Sequence, residues 1–167
     1  MTFGSLVQYY GPPPGSRSAT WIVYTTLTVY AAYAAAITWT WAVSPASRAT
    51  TTAVLIGLFV VSTAGCVAQA IGTGSRRDGR PTYYAMNRDG TWVPFVALIT
   101  PRRVATGPAI GAAILAVLTA GVFLRHSGPT MLDVVAFGVY TVAANGAMAL
   151  SYRHVRNYHR SAPVDPQ

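Results

Sequence analysis

The chain contains no lysine and no glutamate: its 12 basic residues are all arginine and its four acidic residues all aspartate. Schiff-base lysines, buried glutamate proton carriers and glutamate-built metal cages are therefore excluded. A single cysteine, Cys66, rules out an internal disulfide, and its apolar setting in Ser62-Thr63-Ala64-Gly65-Cys66-Val67-Ala68 suits a small packing residue. Charge of either sign is scarce, at 10% of residues against about 25% in soluble domains. No phosphate-binding glycine loop, HExxH, CxxC, GxSxG or TVGYG-like filter occurs. The three histidines, His126, His154 and His159, all fall outside the apolar runs, which argues against axial haem ligation in a bilayer. His154 and His159 also miss the i, i+4 spacing of a helical metal pair. No cofactor or metal is expected.

What remains is apolar: 52% of residues are hydrophobic and mean hydropathy is +0.37, a membrane-protein composition. The pattern predicts an all-α, polytopic four-transmembrane-helix bundle. The spans run over about 20–43, 51–73, 104–124 and 131–152, each long enough to cross about 30 Å of hydrocarbon. Trp21, Tyr24, Trp39 and Trp41 bracket the first at headgroup depth. A cleaved signal peptide ending near Ser44-Pro45-Ala46 is the rival reading, but the apolar run is too long and the segment before it carries one arginine. The third span starts at Thr100-Pro101 or at Thr106-Gly107-Pro108, and the earlier start would put a kink at Pro108.

Outside the spans lie a Pro/Gly-containing N-terminus (1–19), a loop (75–103) and a basic tail (153–167). The loop is too small for a soluble core. Within it Thr91–Thr100 is apolar but too short to span and is broken by Pro94, so it reads as interfacial or re-entrant. Ten arginines fall in these three segments and two, Arg48 and Arg125, in the opposite links. The positive-inside rule then sets both termini and the loop in the cytoplasm, in a multi-pass protein of the cytoplasmic membrane. The net charge of +8 is clustered beside apolar spans, so anionic lipid is the expected partner and nucleic acid is not. The lipid contacts expected are Arg76, Arg77, Arg80, Arg102, Arg103, Arg153, Arg156 and Arg160.

Small residues recur where helices would meet: Gly107 and Gly111 in the third span, Gly138 and Gly146 in the fourth. In lipid such faces let backbones approach closely. A GC-rich coding bias would supply the same alanines and glycines without any packing role. Asn145 is the one amide in mid-span and needs a hydrogen-bond partner, on another helix or on a ligand. Thr130-x-x-Asp133 resembles a capping box, which competes with an ion-handling role for Asp133. With no catalytic constellation, the expected function is a non-catalytic accessory or scaffold subunit of a larger membrane complex, for example respiratory or transport, packed against other membrane subunits. A small homo-oligomeric channel or transporter is the alternative. An intramembrane enzyme acting on lipid or quinone headgroups, with Arg76, Arg77, Arg102 and Arg103 holding phosphate, comes third.

Overall fold

Each long apolar run forms one helix. In a computed structural model that describes residues 11–42, 47–125 and 128–161, these are α1 (Thr20–Ala42), α2 (Arg48–Gly74), α4 (Pro101–Arg125) and α5 (Met131–Ser161), with a single turn, α3 (Phe95–Leu98), before α4. The N-terminal Tyr9-Tyr10 pair, the Ser44-Pro45-Ala46 link, His126 and the surroundings of Gly107 and Pro108 lie outside the described residues. Among the described residues three helices are long and apolar enough to cross a membrane: Arg48–Gly74, Pro101–Gly121 within α4, and Met131–Ser161. α1 is not among them. It has the length, at 23 residues, and carries no charge. Thr25, Thr26, Thr28 and Thr38 each return their hydroxyl to the carbonyl four residues back, at 2.8–3.0 Å, so these groups are satisfied within the helix itself.

α2 and α5 form the central pair; α1 packs on α2 and α4 on α5, while α1 and α4 barely meet. The core of this bundle is Tyr33, Ala36, Leu55, Leu58, Phe59 and Leu115, with Tyr140 stacked on Phe59 at a ring separation of 5.0 Å. The start of α5 is held by a reciprocal capping box. The Asp133 carboxylate accepts from the Thr130 backbone N–H (2.8 Å) and hydroxyl (2.6 Å), while the Asp133 N–H donates to Thr130 Oγ1 (3.2 Å).

The loop departs from the all-α expectation. It contains β2 (Arg76–Arg77), β3 (Arg80–Pro81), β4 (Tyr83–Met86) and β5 (Trp92–Pro94), and β4 also pairs in parallel with β1 (Arg17–Ser18), giving a three-stranded sheet of order β1-β4-β5 beside the β2-β3 hairpin. The turn Asp78-Gly79 has positive φ at both residues (51° and 77°), the two-residue geometry that matches strand twist. Gly90, at φ 81°, closes the β4–β5 turn. The segment read as interfacial or re-entrant is β5 followed by α3, and it turns its apolar side chains onto protein: Phe95 joins Ala19, Ile22, Ala68 and Tyr83, and Val96 joins Val104 and Val155. A small core does form here, because the helix ends supply half of it.

The tail differs as well. α5 continues without interruption through Ser161. Ser151, Val155 and Tyr158 fall on one face, Ser151 meeting Thr73 of α2 and the other two docking against α3, while Arg153, Arg156 and Arg160 fall on the opposite, exposed face. The His159 ring Nε2 lies 3.0 Å from the Ile99 carbonyl oxygen, fastening the last turns to the loop.

Candidate functional site

Because α1 and α4 each lean on the central pair rather than on each other, a space is left between them. It is a half-open cavity of about 390 Å³, within the range of about 300–1,000 Å³ common for small-molecule sites. All four long helices line it, and its wall is predominantly apolar, with Val29 of α1, Ala112 and Ala116 of α4, and Phe137, Ala144 and Met148 of α5. Tyr30, more than half exposed, stands on the α1 rim.

Polar groups sit at two levels. Deep in the bundle the Tyr33 and Ser62 hydroxyls meet at 2.8 Å, and the Ser62 hydroxyl is also 2.6 Å from the Leu58 carbonyl, so Ser62 donates to the backbone and accepts from Tyr33. Tyr140 and Cys66 border the same pair. One turn farther from the sheet, Ala36, Leu55 and Leu58 are buried, which closes that end. Nearer the sheet the lining residues are Gln69, Asn145 and Arg103. Among the described residues no aspartate lines the cavity, and Arg103 supplies the only formal charge there.

Asn145 thus lies on the cavity wall rather than in an interhelical bond. Its Nδ2 donates to the Thr141 carbonyl at 2.8 Å in the preceding turn of its own helix, which leaves the side-chain oxygen free to accept and the second N–H free to donate. The backbone bond accounts for its tolerance in an apolar span, and the side chain is exposed.

The glycines divide into two groups. Gly65, Gly72 and Gly74 of α2 meet Val29, Ile22 with Phe95, and His154 respectively, so close that a Cβ has no room. A Cβ on Gly111 would sit 3.7 Å from the Tyr33 hydroxyl, an ordinary contact. Gly121, Gly138 and Gly146, by contrast, face open space. On α5, Gly138, Val142 and Gly146 recur every four residues on an outward face, with Val142 77% exposed. Gly107 lies in α4.

The arginines gather at the sheet end of the bundle. Arg76, Arg77 and Arg80 are exposed on the β2–β3 hairpin, Arg102 and Arg103 in the first turn of α4, and Arg153, Arg156 and Arg160 on the outer face of α5. At the far end, Arg48 donates to the Gly128 carbonyl at 2.7 Å. In the β4–β5 turn the Asp89 carboxylate accepts from the Thr91 hydroxyl (2.7 Å) and backbone N–H (3.1 Å), and these bonds hold it below the usual aspartate range. Among the described residues no group of three or more His, Cys, Asp or Glu side chains converges to hold a metal ion.

No protein-family model, curated protein or solved structure matches the chain. Tyr33, Ser62, Tyr140 and Gln69 went unremarked in the sequence as site residues. The first three look like ordinary apolar-span residues until helix packing turns them toward one space.

Proposed function

We propose that the chain is a non-catalytic multi-pass subunit of a larger assembly in the cytoplasmic membrane, joined to its neighbours through the outward face of α5. The observation that carries this reading is the open space over Gly138 and Gly146. Glycine inside a helix costs about 0.5–1 kcal/mol relative to alanine, and here nothing among the described residues uses the room it leaves. A partner helix approaching closely in lipid would use it.

On this reading all four long helices cross the bilayer. α1 lies along α2 through Tyr33–Ser62 and Val29–Gly65, so a spanning α2 carries α1 into the hydrocarbon with it. α1 is also charge-free and has no polar face to keep in water. The arginine-rich sheet end is then cytoplasmic, with both termini, and its exposed guanidinium groups lie against anionic headgroups.

The experiment is extraction of the tagged chain from its native membrane in mild detergent, followed by cross-linking and mass spectrometry. Stoichiometric recovery of other membrane subunits, lost in Gly138→Leu and Gly146→Leu, is the expected result. Recovery of the chain alone, or with copies of itself, overturns the reading.

The second reading is a small homo-oligomeric channel or transporter, favoured by Asn145 lining a cavity between the four long helices. Flux in proteoliposomes that disappears in Asn145→Leu would establish it.

A further inference from the structure

Several features of the cavity converge on a ligand, independently of what the outer face of α5 contacts. It lies between α1 and α4, which barely meet, with the small side chains of Ala112 and Ala116 on the α4 side, so in a bilayer a route into it would run between these two helices. Its depth is closed by the buried cluster around Tyr33, Leu58 and Leu115, so it is a blind recess rather than a conducting path. The wall is apolar, with Arg103 and Gln69 lining it toward the sheet, Asn145 lining it between these and the Tyr33–Ser62 pair, and, among the described residues, no acidic side chain on it. The Asn145 amide keeps a donor and an acceptor unspent by its own backbone bond.

An apolar recess lined by one cation and two amides matches a molecule that is apolar along its length and anionic at one end. Arg103 stands three residues into α4, at the depth where the arginine-rich end of the bundle meets the apolar spans. A phosphate is well suited there, since guanidinium binds it through charge-assisted hydrogen bonds.

We propose that this cavity binds a bilayer amphiphile with a net-anionic phosphate headgroup, the phosphate held by Arg103 with Asn145 and Gln69, and the chain lying in the recess beside Cys66. The amphiphile enters from the leaflet that faces the sheet end. The shared chemistry with a soluble phosphate compound is the headgroup alone, and the recess distinguishes the two.

Cys66, the only cysteine of the chain, lines the recess and reports on its occupancy. The full-length protein in a neutral detergent is treated with N-ethylmaleimide, with and without added phosphatidic acid, phosphatidylcholine or inorganic phosphate, and bound lipid is counted by native mass spectrometry on the same samples. The expected result is slower Cys66 labelling with phosphatidic acid, one retained lipid per chain, and no protection by phosphatidylcholine or inorganic phosphate at equal concentration. Arg103→Gln should weaken phosphatidic acid binding about tenfold or more, the effect of removing one charged hydrogen-bond partner, while Arg88→Gln, exposed in the β4–β5 turn away from the cavity, leaves it unchanged. Equal losses in the two variants would reduce the effect to surface charge and overturn the site. So would the absence of both lipid retention and Cys66 protection. Protection by inorganic phosphate alone would overturn the amphiphile and leave only an anion contact.

Discussion

The ring of Phe95 lies 3.0 Å from the point where a Cβ on Gly72 would sit, and the Ile22 side chain is nearer still. Gly72 is therefore the position where α2 admits both the loop turn α3 and the start of α1. Ile22 is 1% exposed and has no open space to retreat into. Gly72→Ala should destabilise the fold by about 1–3 kcal/mol through overpacking, more than the gain in helix propensity returns. Gly57 lies on the same helix with open space around it, so Gly57→Ala should instead stabilise by about 0.5–1 kcal/mol. Thermal unfolding of the two variants in detergent gives the sign directly, and shifts of the same sign would refute the packing argument.

The capping box at the head of α5 makes a separate prediction. Thr130→Ala removes the Oγ1 acceptor of the Asp133 N–H and one of the donors to its carboxylate. A loss of about 0.5–2 kcal/mol is expected, together with faster hydrogen exchange at the amides of residues 131–134. Exchange that stays as slow as in the wild type would mean the box does not hold the helix start.

The four long helices were legible in the sequence because each is an uninterrupted apolar run, and 51–73 and 104–124 fall inside α2 and α4. The strands were not, though two Asp-Gly pairs mark their turns. Elements of two to four residues with arginine in them carry no hydrophobic alternation, and they are held by helix ends contributed from far along the chain, as Ala19 and Ala68 are to Tyr83 and Phe95. The extension of α5 was hidden by its arginines: the i, i+4, i+7 row of Ser151, Val155 and Tyr158 is visible only once the charges are assigned to the opposite face. Asn145 was singled out by chemistry alone, but the cavity around it follows from two helices failing to meet, a tertiary relationship with no local signature.

Asp89 supplies a pH dependence whose sign follows from its partners. The Thr91 hydroxyl and N–H bind the carboxylate and not the acid, so the carboxyl pKa is lowered in the folded turn. The contribution to local order is full above the ordinary aspartate pKa of about 3.9 and disappears as pH falls through the lowered value. Thr91→Val removes the hydroxyl and should move the Asp89 titration, followed by carboxyl NMR, back up toward the ordinary value. A midpoint that does not move would assign the shift to something other than this hydroxyl.

The docked tail can be separated from a merely lipid-bound one by proteolysis. Val155 is fully buried between Val96 and Val104, and the arginines on the other face of the same turns are trypsin sites. Cleavage there requires the last turns of α5 to open, so its rate follows the free energy of local unfolding. Val155→Ala removes packing worth about 1–3 kcal/mol, which should speed cleavage after Arg153 and Arg156 about tenfold or more in detergent free of anionic lipid. Asn157→Ala, on the exposed side, should leave the rate near that of the wild type. If lipid alone orders the tail, both variants and the wild type will be cut equally fast once the lipid is gone, because nothing in the protein then distinguishes Val155 from its exposed neighbours.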